Sequence, residues 1–483
     1  VKRSGRAILT VALLVAVRAG VAAQALSAAD VAKIDAVVRN DMRAAATPGV
    51  SLAIVRGTRV VFAKGYGFKN LATRAPVDPQ SIFRYGSVTK EFTAAEMVLL
   101  QRDGKLSLSD PISRWLPAAT DAADVRIVDL LNMTSGYRDY YPLDYVDLEM
   151  ARPASMAAIA REYEAFPLTA PPRRRYEYSN TNYLFAGLIA ERVTGNSIGD
   201  LLRDRLLVPA GMTHAFYDEP QRVLADRATG YNSYFTEAPH EDPLEAPDWL
   251  NAAGALAGTA TDLALWDIAL MRNAILSRAE FATLTTDRIL MPGNRDTRYG
   301  LGLAIETRNG HRIVSHGGNV IGYAASNALA PDDGVAVVVL TNSYEAPADQ
   351  FGSDVLDIVM PVLASRSQAK QPAQNPPTPP PTTQPQQRAM ALMSTGLAAL
   401  RAGVLPASLM TPDFAALMDS TNRLRARTTL ARLGPTQRLE LLGRDTRGGL
   451  YVTAATARFR SGKRTAVLYA TPDERIAELF LFP

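Results

Sequence analysis

Apolar and polar positions alternate in blocks that predict strands at both ends of a long helical stretch. Val50-Ser-Leu-Ala-Ile-Val55 and Val60-Val-Phe-Ala-Lys-Gly-Tyr66 flank Arg56-Gly-Thr and predict two strands joined by a tight turn. Ile313 to Ser315, Tyr323 to Leu329 and Val335 to Leu340 predict three more, with Pro331-Asp-Asp-Gly334 as a hairpin turn. Residues 91 to 280 are largely helical in pattern, beginning with Phe92, Ala94, Ala95, Met97, Val98, Leu99 and Leu100. A further apolar-periodic helix is expected near residues 348 to 364. This order predicts an α+β fold: an antiparallel sheet closed by the first and last segments, with helices packed on it and a helical lobe inserted between.

The pattern breaks at residues 371 to 387, where seven prolines in seventeen residues predict an extended linker free of helix. Beyond it, residues 388 to 483 open with Ala-, Leu- and Met-rich helical sequence and then alternate. Arg438 to Gly443, Leu450 to Phe459, Arg464 to Ala470 and Ile476 to Phe482 predict an antiparallel sheet. The turn signals Asp445-Thr-Arg-Gly-Gly and Ser461-Gly-Lys separate its strands. A small accessory α+β domain is expected, suited to interaction, dimerisation or substrate gating.

At the other end, Lys2, Arg3 and Arg6 precede the apolar run Ala7 to Val17 and the small residues Val21-Ala22-Ala23. This reads as a cleaved signal peptide over residues 1 to 25, too short to span a bilayer, which needs about 20 apolar residues. A periplasmic or secreted protein without stable membrane insertion is expected, with the main domain over residues 26 to 370. Net charge is +4 without a long basic run, so no nucleic-acid partner is expected. Arg173-Arg174-Arg175 is the most basic stretch, either a solvated loop or a rim that attracts anions. Cysteine is absent, so stability rests on packing. The four histidines are scattered, and neither a metal nor a cofactor is expected.

Candidate chemistry begins at Ser87-Val-Thr-Lys90, in the context Phe83-Arg-Tyr-Gly-Ser-Val-Thr-Lys. A serine and a lysine three apart share one face of a helix, and the lysine can take the serine's proton. Ser87 falls at the expected helix N-terminus, where unpaired N–H groups favour negative charge. A second copy, Ser367-Gln-Ala-Lys370, borders the proline tract, where no helix could hold it. Tyr178-Ser-Asn180 offers a phenol as proton shuttle, should a nearby lysine lower its pKa, and an amide to hold lysine and substrate. His316-Gly-Gly318 ends a predicted strand, where glycines admit a ligand close to the backbone.

These three motifs, in this order, resemble the serine β-lactamase and penicillin-binding-protein superfamily, in its class C β-lactamase, D-aminopeptidase and esterase branch. Leu106-Ser-Leu-Ser-Asp-Pro-Ile-Ser-Arg-Trp-Leu-Pro117, Val125 to Gly136, Pro209 to Met212, Ala260 to Ala264 and Tyr299 to Gly302 add to the resemblance, which runs over roughly residues 30 to 365. It implies Ser87 as nucleophile, Lys90 as its partner, Tyr178 as general base or acid, and Asn180 as the group orienting lysine and substrate. It implies an oxyanion hole from the backbone N–H groups of Ser87 and Asn319, with Gly317 and Gly318 at the substrate. His316 stands where many relatives carry lysine. A histidine there is largely neutral at pH 7, which weakens the case for β-lactams and leaves esters and peptides open.

Tyr137, Tyr140, Tyr141 and Tyr145 cluster after Thr134-Ser-Gly136. Tyr137 and Tyr140 are expected at the substrate, as an aromatic wall for an apolar acyl group. The expectation is a secreted serine hydrolase working through an acyl-enzyme on small esters or D-amino-acid peptides. A β-lactamase or D,D-peptidase is the second reading. A non-catalytic protein that binds penicillin or a cell-wall ligand is the third. The sequence leaves the oligomeric state open.

Overall fold

The computed structural model describes residues 25–218, 224–233, 238–246, 248–286, 288–292, 296–363 and 383–482. The expected signal segment, apart from residue 25, and most of the proline tract lie outside these residues.

The first strand, Gly49–Arg56, and the last strand of the main domain, Val335–Thr341, pair antiparallel from Val50↔Thr341 to Arg56↔Val335. The ends of the domain thus close one sheet, as the hydropathy pattern predicts. Around this pair a nine-stranded sheet forms. Arg59–Asn70 lies on one side, and Tyr323–Ala330, His311–Val320 and Ala304–Arg308 follow in turn on the other. The three central strands are buried almost throughout, and their sequences are mainly apolar without regular alternation because both faces are covered. Helices Ala28–Ala44 and Ala348–Val359 pack on one face, and Ala260–Met271 on the other. The helix predicted near 348 to 364 ends at Val359, and residues 361–363 form a turn.

Thr89–Arg102 runs through the interior, with every residue from Thr89 to Leu100 buried. A helix covered on all sides has little amphipathic character, and here Phe92 stacks on Trp266 at 4.4 Å. Asn180–Thr194 packs against it and stops at Gly195, whose left-handed φ of 76° suits glycine.

The C-terminal domain holds helix Gln384–Ala402, helices Pro412–Leu417 and Ser420–Leu433, and a four-stranded antiparallel meander. The meander runs Thr436–Arg447, Leu450–Phe459, Gly462–Ala470 and Ile476–Phe482. The helix starts inside the expected linker. Pro385 occupies its first turn, where a missing N–H costs no hydrogen bond.

The two domains share a core. Leu143 and Tyr145 belong to the main domain in sequence, yet they pack into the apolar cluster of the C-terminal domain. The Tyr145 ring lies against Phe414 and Phe480, and its hydroxyl donates to Ala477 O at 2.9 Å. Tyr145→Ala should therefore destabilise the protein by about 3 kcal/mol through the cavity it leaves. Tyr145→Phe, which loses only the hydrogen bond, should cost about 1 kcal/mol. Urea unfolding of both variants checks the ordering.

Candidate active site

Ser87 sits in a short turn, Gly86–Val88, between strand Phe83–Arg84 and the buried helix Thr89–Arg102. One helical turn on, Lys90 Nζ lies 3.0 Å from Ser87 Oγ. Lys90 is fully buried, and its nitrogen has two further neighbours: Asn180 Oδ1 at 2.8 Å and Ala253 O at 2.8 Å. Both accept hydrogen bonds only. A neutral amine has two N–H groups and one lone pair, so donating to both leaves its lone pair facing the Ser87 hydroxyl. Asn180 is fixed in this orientation because its Nδ2 donates to Asp139, at 3.1 Å.

Burial pulls the Lys90 pKa down to about 7. Asp139 opposes the shift and Arg447 adds to it. Tyr178 completes the group by donating its hydroxyl to Ser87 Oγ at 2.7 Å. Its pKa moves opposite to the sequence expectation. Desolvation raises it, and the hydrogen bond to Ser87 only partly offsets that. Burial thus keeps the phenol protonated, and Tyr178 is a proton donor at neutral pH.

His316 is buried on strand His311–Val320. Burial, with Lys90 nearby, pushes its pKa down to about 3. The neighbours fit a neutral ring: Nδ1 lies 2.5 Å from Gly317 O, an acceptor, and Nε2 lies 2.9 Å from Tyr299 Oη, which can donate.

The two glycines differ in what they do. Gly317 lines the pocket, with Asp349 so close that a Cβ would lie 2.7 Å from its Oδ2. Gly318 faces the nucleophile turn, where a Cβ would lie 2.0 Å from Tyr85 O and 3.2 Å from Ser87 N. Gly86 is the counterpart, since its Cβ would lie 3.1 Å from Asn319 N. The bare backbones therefore cross in contact, with the main chain at Gly86 and Ser87 against that at Gly318 and Asn319.

The pocket holds about 500 Å³ and is lined by Ser87, Tyr178, Asn180, His316, Gly317 and Asn319, among others. Of the tyrosine cluster, Tyr140 and Tyr141 line it. The Tyr140 hydroxyl is committed to Trp249 O at 2.6 Å. Tyr137 is not at the pocket: its ring packs edge-on against Phe185 and its hydroxyl donates to Thr120 O. Tyr145 serves the domain junction instead. Arg173, from the basic stretch, is paired with Asp124 and Asp129.

Sequence reasoning missed Asp139, Asp144, Asp349 and Arg447. The signal for Asp139 and Asp144 was the presence of carboxylates among buried tyrosines. Arg447 offered no signal beyond its place in a turn. Among the described residues, no group of three His, Asp or Glu side chains could hold a metal ion.

Residues 34–358 match the family described as Beta-lactamase, and the chain belongs to that family. Two relatives illustrate its range. One is the unguisins hydrolase ungD' of Aspergillus campestris, 30% identical over 316 residues, which are 61% of this chain and 58% of that protein. The other is the D-aminopeptidase of Brucella canis, 27% identical over 330 residues, 67% of this chain and 62% of that one. The chain thus spans about three-fifths of the length of these relatives. Among solved structures, the octameric penicillin-binding protein homologue from Pyrococcus abyssi is 21% identical with a TM-score of 0.63. The match covers 94% of this chain and 100% of that one, so the likeness in fold reaches beyond the main domain.

Two outcomes follow from this geometry. Labelling of Ser87 by a fluorophosphonate should rise with pH, reach half its maximum near the Lys90 pKa of about 7, and flatten above it, because only the neutral amine accepts the proton. Stopped labelling assays across pH 5 to 10 check this. Gly318→Ala should slow labelling roughly 10²-fold or more, by forcing the strand away from the nucleophile turn and its paired N–H donors.

Proposed function

We propose that the protein is a serine hydrolase that forms an acyl-enzyme on Ser87 from small peptides, amides or esters, with D-amino-acid peptides as the leading class. The observation that carries this reading is the Ser87 hydroxyl held between Lys90 Nζ at 3.0 Å and the Tyr178 hydroxyl at 2.7 Å.

Ser87 Oγ attacks the carbonyl carbon and its proton passes to Lys90 Nζ. The oxygen that gains charge faces the N–H groups of Ser87 and Asn319, which stabilise it. Tyr178 gives its proton to the departing amine or alkoxide as the carbon–nitrogen or carbon–oxygen bond breaks, and the Lys90 ammonium returns a proton to the phenolate. Water then attacks the ester, the acid leaves, and Ser87 regains its proton.

Charge supports the substrate class. His316 brings no fixed cation for a substrate carboxylate. The Arg447 guanidinium shares the pocket lining with the carboxyl groups of Asp144 and Asp349. A net negative wall suits a substrate with a free ammonium better than the carboxylate of a β-lactam. The D-aminopeptidase among the relatives points the same way.

The test is intact mass of the wild type and Ser87→Ala after a fluorophosphonate and, separately, benzylpenicillin, alongside turnover of D- and L-alanine p-nitroanilide. One adduct on the wild type alone, turnover of the D-anilide and intact penicillin are expected. A lasting penicillin adduct would instead mark a penicillin-binding protein, and hydrolysed drug a β-lactamase. No label on the wild type would leave a binding protein without turnover.

A further inference from the structure

The C-terminal domain reaches the candidate site with Tyr469 and, through a hairpin, with Arg447. Strands Thr436–Arg447 and Leu450–Phe459 are joined by Gly448 and Gly449, with φ of 56° and 79°. Positive φ at both central residues gives the tight turn that glycine permits. The tip is seated on the loop that runs from Arg138 to Pro142. A Cβ on Gly448 would lie 2.6 Å from Pro142 Cβ, and one on Gly449 2.9 Å from Arg138 Cζ. Arg138 Nε donates to Gly448 O at 2.6 Å.

This seat delivers the Arg447 side chain. Its Nε lies 3.3 Å from Asp139 Oδ2 and its Nη2 3.0 Å from Tyr141 O. Nη1 lies 3.5 Å from both Asp144 Oδ1 and Tyr469 Oη. Four of five N–H groups have partners, which leaves little for a substrate. Asp139 is wholly buried at its side chain, and its Oδ1 also accepts from Asn180 N at 2.8 Å and Asn180 Nδ2 at 3.1 Å. Asn180 in turn holds Lys90. A chain of contacts thus runs from Arg447 through Asp139 and Asn180 to the lysine.

We propose that Arg447 is a positioning residue of the hydrolase site: by balancing Asp139 it holds Asn180 and Lys90 in the arrangement that activates Ser87. The C-terminal domain is then a working part of the catalytic centre. This rests on the serine–lysine reading above. A buried carboxylate left without its guanidinium is costly and attracts a proton to the nearest base. The groups facing Arg447 are Asp139, Asp144 and Tyr344 from the main domain, and Tyr469 and Glu478 from its own. Burial, with Asp144 beside it, pushes the Glu478 carboxyl well up. Asp139 and Arg447 act on Lys90 in opposite directions, in keeping with the proposal.

The experiment compares wild type, Arg447→Met, Arg447→Lys and the neutral pair Arg447→Met with Asp139→Asn, as full chains. It follows fluorophosphonate labelling against pH, with thermal melting alongside. In Arg447→Met the acid limb should move up by about one pH unit, with labelling at pH 7 falling several-fold and recovering at pH 9. Arg447→Lys should restore most of it, and the neutral pair should bring the limb back toward wild type. Should Arg447→Met not fold, Gly448→Ala lifts the tip from Pro142 with all charges intact and is read the same way. A limb that stays in place, or a loss of rate equal at every pH, overturns the proposal and leaves Arg447 a structural contact. If wild type labels without a limb near pH 7, or Lys90→Ala labels normally, the serine–lysine reading has failed instead.

Discussion

A single nitrogen, buried without a carboxylate in contact, governs the architecture. Lys90 Nζ is held by one side-chain amide, one main-chain carbonyl and one serine hydroxyl. The three come from the start of one helix, the start of another, and the segment around residue 253. Ammonium ions are costly to bury. The fold answers by offering two acceptors for a neutral amine and directing its lone pair at the nucleophile. The all-round burial of helix Thr89–Arg102 follows from the same need, since only a helix sunk in the core can carry Lys90 out of water while its first turn meets the pocket.

The sheet contributes the second constraint. Strand His311–Val320 can approach the serine turn only because Gly86 and Gly318 meet there without side chains. His316 precedes this crossing and is sealed as a neutral ring by Tyr299 and Gly317. The strand therefore presents its backbone to the pocket and withholds charge, while acidic residues enter from the loop at 139 to 144 and, as Asp349, from helix Ala348–Val359.

Much of this was legible along the chain, for reasons that lie within reach of one element. Ser87 and Lys90 are one turn apart, the central strands are mainly apolar runs, and the C-terminal strands alternate between turn signals. What was not legible depended on distance. Asp139 and Arg447 are separated by 308 positions, and nothing near either forecasts the other. The tyrosines misled for a related reason. A buried aromatic reads the same whether it faces a substrate or a neighbouring domain, and Tyr137 and Tyr145 face protein. The direction of the Tyr178 shift was missed because burial of the phenol itself sets it, and that burial is made by segments distant in the chain. Pro385 was taken as a barrier to helix, although a first turn tolerates it.

Leu143 and Tyr145 leave their own domain to complete the core of the other. The loop that holds them also carries Asp139 and Asp144, so one short segment answers to two selective demands. A substitution that reshapes the C-terminal core will tug on that loop, and one that retunes the pocket will disturb the junction. The two halves of this chain can therefore drift only in step. Lineages that exchange one for a foreign counterpart must also rebuild the ten or so residues between them.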